Sequence, residues 1–167
     1  TPTTLPPALL ERLLRGIEDN LPVEDAFEYT VEAGRPDTIT LEKLQVLKEM
    51  GVTRISINPQ TMIQKTLDLI GRKHSVEAVE EAFWMAREAG FDNINMDLIA
   101  GLPGDDFKTF AYTFDEILKL APQNITVHTF CVKKSSELLR RDSKVFSLRG
   151  GSVGKCVDYS QIKADQA

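Results

Sequence analysis

Lys48-Glu49-Met50-Gly51-Val52-Thr53-Arg54-Ile55-Ser56-Ile57 is answered 39 positions later by Arg87-Glu88-Ala89-Gly90-Phe91-Asp92-Asn93-Ile94-Asn95-Met96. Each copy reads as the end of a helix, a glycine that stops it, and a run suited to a strand. Any helix-glycine-strand junction selects these residue types, so the echo is better read as shared local physics than as a duplicated gene. It still sets the topology, because a helix followed by a strand, repeated, is an αβ unit.

Working outward, Thr40 is placed to cap the helix carrying Leu44, Leu47 and Met50, with the strand Val52–Ile57 after it. Ser75 caps the helix that places Val79, Ala82, Phe83 and Ala86 on one face, before the strand Asn93–Leu98. Upstream, Leu9, Leu10, Leu13, Leu14 and Ile17 have helical spacing after Pro6-Pro7, and Ala26–Val31 reads as a strand ending at Glu32. Downstream, Asp105 or Asp106 starts a helix with Phe107, Phe110, Phe114, Ile117 and Leu118 inward, Pro122 blocks its continuation, and Ile125–Phe130 is a fourth strand. Phe107, Phe110 and Phe114, with Trp84 or its neighbour Phe83, are expected in the core. The fold class is α/β: about four strand-helix units of a partial TIM-like (β/α) barrel, since a complete barrel needs roughly 200 residues or more. The glycine pattern of a dinucleotide-binding doubly wound sheet is missing. Residues 1–132 form this barrel part; the polar tail 133–167, with Arg149-Gly150-Gly151-Ser152, shows no clear period and is expected to be poorly ordered.

Composition narrows the function. The chain has 167 residues, 42% hydrophobic and 27% charged, and a net charge of −5 from 20 basic and 25 acidic residues, which is an ordinary globular balance. Without a basic block it offers no footprint for nucleic acid. Its longest apolar stretch, around 93–102, is short and interrupted, so no membrane span is expected. Thr1 to Pro7 lack the features of a secretory signal, and the opening reads as a piece cut from something longer. Cys131 and Cys156 have neither disulfide-framework nor metal-knuckle spacing, which fits a reducing cytoplasm.

Ligands of parallel α/β folds bind at the carboxyl ends of the strands. Those ends carry Glu32, then Asn58-Pro59-Gln60, then Asn95 and Asp97, and then His128 and Thr129. Any one of these is ordinarily a turn or capping residue, but four groups together favour a shared rim. Gly101-Leu102-Pro103-Gly104 permits close backbone approach to a ligand, or is simply a tight turn. Ile70-Gly71-Arg72-Lys73-His74 is either a solvated basic turn or a guanidinium clamp for a carboxylate. A His128/Cys131 nucleophile pair is disfavoured because an offset of three on a strand points the two apart. Glu32, His74, Asp97 and His128 lack the local spacing of a metal site. No catalytic residue and no metal ligand is therefore assigned.

Read in series, these residues resemble the radical S-adenosylmethionine enzymes of the coproporphyrinogen-oxidising group. Thr1-Pro2-Thr3 is similar to the end of that group's Gly-Gly-x-Thr-Pro-Thr motif. Val31-Glu32-Ala33, Gly51 to Ile57, Leu69 to His74, and Asn95 to Gly104 follow in the family's order. Glu32-Ala33-Gly34-Arg35-Pro36 and Ile57-Asn58-Pro59-Gln60-Thr61 resemble its oxygen-independent coproporphyrinogen dehydrogenase variant more than the haem-chaperone variant. The resemblance implies a partial (β/α)6 barrel and S-adenosylmethionine as cofactor. It also implies contacts to that cofactor from Glu32, Gln60, Arg72 and Asp97, with Ile99 and Cys131 lining the adenosine pocket. Arg72 would pair with the methionine carboxylate, Gln60 and Asp97 would bond ribose hydroxyls, and Glu32 would accept from the ammonium.

The family's Cys-x3-Cys-x2-Cys triplet, which holds a four-iron four-sulfur cluster, is not in this chain, so the cluster belongs to a longer parent. The parent is expected to convert coproporphyrinogen III to protoporphyrinogen IX in haem biosynthesis, and the isolated chain is expected to be inactive. Its partner is then a small molecule, a porphyrinogen, with self-association through an open sheet edge as a further expectation. The alternatives are a haem chaperone on the same barrel and a cluster-free barrel-like binding module.

Overall fold

The computed structural model describes residues 1–131. The tail assignment for 133–167 therefore lies outside the described residues. Four parallel strands, β1 (Thr30–Gly34), β2 (Arg54–Gln60), β3 (Ile94–Ala100) and β4 (Asn124–Thr129), pair in sequence order. Helices α1 (Pro7–Glu18), α2 (Leu41–Glu49), α3 (Gln64–Leu69), α4 (Val76–Glu88) and α5 (Phe107–Leu120) precede or connect them. This is the expected open segment of a parallel α/β barrel, with each crossover made by helix.

The repeated junction is real in hydrogen bonds. Gly51 N donates to Lys48 O and Val52 N to Leu47 O, while Gly90 N donates to Arg87 O and Phe91 N to Ala86 O. Both glycines are left-handed, at φ 75° and 87°, the conformation that closes a helix and releases the chain into a strand. α3, which periodicity did not reveal, ends the same way: Gly71 N reaches Asp68 O and Arg72 N reaches Leu67 O. Thr40, Ser75 and Asp106 cap α2, α4 and α5 through their side chains, Asp106 within a full capping box with Thr109.

The helix-covered face of the sheet is apolar. Val31, Ala33, Ile55, Ile57, Ile94, Met96 and Leu98 alternate inward and join Leu10, Leu14, Leu44, Leu47, Val79, Ala82, Phe83 and Ala86 in one core. The strand bounds and the inward face of α5 need correction, while the choice between Phe83 and Trp84 is decided. β1 starts at Thr30 rather than Ala26, because Phe27 stands fully in solvent; Glu32 consequently lies within the strand and Gly34 reaches its end. Phe107 and Leu118 are exposed on α5, whose inward stripe runs through Phe110, Thr113, Phe114 and Ile117. Of the adjacent aromatics, Phe83 is buried and Trp84 is 58% exposed. β2 and β3 also run further than expected, through Gln60 and Ala100. β2 accommodates Pro59 because its register against β3 shifts between Ile57 and Gln60.

Candidate functional site at the strand ends

The opposite face of the sheet is polar, and strand register decides who meets whom. Glu32 pairs with Ser56, Ser56 with Asn95, Asp97 with Thr126, and Ile99 with His128. In-register residues of parallel neighbours share a face, so these side chains form a polar floor opposite the helices.

Asn95 is the hub of that floor. Its Nδ2 donates to Ser56 Oγ at 2.9 Å and to Asp97 Oδ1 at 2.6 Å, and its Oδ1 accepts from Thr126 Oγ1 at 2.9 Å. Ser56 Oγ also approaches Asn58 Oδ1 at 3.4 Å. Asp97 is 8% exposed, with one oxygen bound by Asn95 and the other 4.0 Å from the exposed His128 Nε2. Neither Ser56 nor Thr126 stood out in the sequence, since both are ordinary strand residues; only register reveals them.

Gln60 is buried at the end of β2 and holds the left-handed conformation, φ 70°, that non-glycine residues rarely adopt. The chain on either side of it is gripped. His74 Nε2 lies 3.3 Å from Pro59 O, and after Gln60 the Thr113 hydroxyl accepts from Met62 N at 3.1 Å and bonds Thr61 Oγ1. His74 is buried, so the basic loop 70–74 is not a simple solvated turn. Burial pushes its pKa below the ordinary 6.5; the Pro59 carbonyl opposes that shift and nearby Arg72 reinforces it.

Arg72 is half-buried, and its pKa is lowered first by burial and then by neighbouring Arg35, against the opposing attraction of Asp37. Arg35 is committed to Asp37 through Nε at 3.1 Å and Nη2 at 2.5 Å, which holds the Asp37 carboxyl below its usual range. The Arg72 backbone N–H bonds Leu67 O, and its guanidinium makes no side-chain hydrogen bond or salt bridge to another described residue. Ile99 is half-buried on the polar face, and Cys131 is exposed just beyond β4.

At the end of β1, Thr1-Pro2-Thr3 is docked rather than loose. Thr3 is fully buried, its hydroxyl donating to Ala33 O at 2.7 Å, and Lys43 Nζ donates to Thr3 O and Thr38 O. Gly34 has φ 68°, and a Cβ there would lie 2.7 Å from Thr1 Oγ1. Only glycine lets the segment approach this closely.

The polar face of β1 and β3 thus carries two carboxylates (Glu32, Asp97), while the end of β2 carries a buried amide (Gln60) and the loop after α3 a guanidinium (Arg72). These groups complement a ligand carrying hydroxyls, an ammonium and a carboxylate. The chain belongs to the radical SAM superfamily, whose model matches residues 1–117.

Among its relatives, the oxygen-independent coproporphyrinogen-III oxidase-like protein HemZ of Bacillus subtilis is 48% identical over 136 residues, 81% of this chain and 26% of HemZ. The haem chaperone HemW of the same organism is 40% identical over 134 residues, 80% of this chain and 35% of HemW. The structure of coproporphyrinogen III oxidase (HemN) from Escherichia coli, a radical SAM enzyme, matches with a TM-score of 0.73 at 27% identity, covering 96% of this chain and 35% of HemN. The chain therefore spans roughly a quarter to a third of the relatives it matches.

Membership implies S-adenosylmethionine and an iron-sulfur cluster. The carboxylates, amide and guanidinium at the strand and helix ends are group types that suit the former's ammonium, hydroxyls and carboxylate. The latter has no thiolate triplet here: the sequence holds two cysteines, Cys131 and Cys156, far apart in the chain. Among the described residues, no helix is long and apolar enough to cross a membrane.

Proposed function

We propose that this chain is the S-adenosylmethionine-holding part of a radical SAM enzyme whose full-length parent oxidatively decarboxylates two propionates of coproporphyrinogen III to vinyl groups, in the cytoplasm. The observation that carries the cofactor reading is the polar floor: Asp97, buried and oriented by Asn95, lies on the face that also bears Glu32, with Gln60 and Arg72 at the neighbouring strand and helix ends. When bound, S-adenosylmethionine supplies the radical chemistry. The residues of this chain would hold it, Arg72 through the methionine carboxylate, Asp97 and Gln60 through the ribose hydroxyls, and Glu32 through the ammonium, with Ile99 and Cys131 beside the adenosine. The cluster thiolates come from elsewhere in the parent, so the chain alone is inactive. The substrate reading rests on the similarity to HemZ.

The test is to prepare the full-length protein anaerobically with its cluster reconstituted and to follow coproporphyrinogen III. Conversion to protoporphyrinogen IX, lost in Asp97→Ala, is the expected result. The similarity to HemW supports a second reading, a haem chaperone on the same barrel. Stoichiometric haem binding without porphyrinogen turnover would establish that reading and reject the oxidase.

A further inference from the structure

Gln60 and Arg72 belong to different elements, and among the described residues no hydrogen bond joins them: Gln60 Nε2 reaches Asn58 O at 3.4 Å and Arg72 N reaches Leu67 O. Arg72 sits at the end of α3, placed by the left-handed Gly71 and the bond from its own N–H to Leu67 O. Gln60 leaves β2 with φ 70°. A non-glycine residue stays in that region only when its surroundings hold it there. Downstream the hold is the Thr113 hydroxyl on Met62 N and Thr61, from α5. Upstream it is the Pro59 carbonyl, whose partner is His74 Nε2 at 3.3 Å. His74 lies two residues after Arg72 and is 2% exposed, and its Nδ1 has no partner among the described residues. A carbonyl only accepts, so Nε2 carries the proton and the ring is the neutral Nε2–H tautomer. A buried histidine with one ring nitrogen unsatisfied is costly as mere core filling.

We propose that His74 is a positioning residue of the S-adenosylmethionine site: by donating to Pro59 O it ties the loop that bears Arg72 to the strained strand end that bears Gln60, and so sets the gap in which the cofactor sits. This inference rests on the S-adenosylmethionine reading above. In this role His74 acts through the Pro59 carbonyl and the loop of Arg72, as a positioning residue and not as a ligand contact. Burial favours the uncharged ring, so His74 adds no second cation beside Arg72.

The test uses the full-length protein with its cluster reconstituted. S-adenosylmethionine affinity is measured by calorimetry beside thermal unfolding for wild type, His74→Leu, His74→Gln and Arg72→Ala. The leucine removes the donor at similar bulk, whereas the glutamine keeps an N–H able to reach Pro59 O. His74→Leu should weaken binding about tenfold or more, with His74→Gln restoring most of it even where the two unfold at the same temperature. A structural role alone would lower the unfolding temperature without that rescue in affinity.

Wild-type affinity in His74→Leu, with Arg72→Ala impaired, overturns the inference and leaves the cofactor reading standing. Wild-type affinity in Arg72→Ala removes the cofactor reading and the inference with it. Should His74→Leu not fold, nitrogen NMR of the histidine-labelled wild type decides: a proton on Nδ1 rather than Nε2 overturns the inference.

Discussion

Asn95 Nδ2 lies 2.6 Å from Asp97 Oδ1, two residues along the same face of β3, and bonds Ser56 of β2 with the same amide nitrogen. Because its oxygen accepts from Thr126 of β4, one side chain spans three strands beneath the rim. The arrangement engages Oδ1 of Asp97, while Oδ2 lies 4.0 Å from His128 Nε2.

Replacing Asn95 by leucine keeps the bulk and removes the amide, stranding the polar groups of Ser56 and Asp97 in a buried site. The expected cost is about 1–3 kcal/mol, read as a lower midpoint in urea unfolding, together with weaker S-adenosylmethionine binding. An unchanged midpoint would mean that water replaces the amide.

His74 should leave a mark on the pH dependence of stability. Burial lowers its folded-state pKa beneath the ordinary 6.5, with Arg72 and Arg35 acting in the same direction and the Pro59 carbonyl and Asp37 opposing. Below pH 6.5 the unfolded chain therefore binds more protons at this residue than the folded one. Stability fully present above that pH is lost as pH falls toward the folded value. Between about pH 7.5 and about pH 5.5, wild type should lose more stability than His74→Gln. Parallel losses in the two proteins would count against a depressed His74 pKa.

Gly34→Ala tests the docking of the amino-terminal segment. The left-handed backbone costs an alanine about 1–2 kcal/mol, and its Cβ would meet Thr1 Oγ1 at 2.7 Å. Besides a lower unfolding midpoint, faster amide exchange is expected at Thr4 and Leu5, whose N–H groups bond Thr1 O and Pro2 O. Unchanged exchange would show that the segment moves aside as a unit.

The neighbours Phe83 and Trp84 should behave oppositely. Phe83→Ala opens a hole in the core and is expected to cost about 3–5 kcal/mol. Trp84→Ala, at a position 58% exposed, should stay within about 0.5 kcal/mol. Chemical denaturation of the two variants checks the pair, and comparable losses would refute the assignment of inner and outer faces.

Much of this molecule could be read before any coordinates. Gly51 and Gly90, each after a helical run and before a strand, determined the alternation of elements, because helix closure by a left-handed glycine is a local event. The capping residues Thr40, Ser75 and Asp106 are equally local, and so is the alternation that puts Asn95 and Asp97 on one face of β3. Local signals misled where two faces compete. Leu118 and Phe107 fit a helical apolar stripe yet lie outside the arc that α5 buries, and Phe27 belongs to an apolar run that never reaches the sheet.

What only the tertiary structure decided is who stands beside whom. That Asn95 meets Ser56 and Thr126 depends on parallel register, which is set by the packing of whole strands and carries no signature in any one of them. That His74 grips Pro59 depends on α3 returning the chain to the end of β2, a contact between residues 15 apart in sequence. Periodicity and capping arise within a few residues of backbone. The clamp and the floor arise from burial and long-range pairing, which a single chain specifies but does not display.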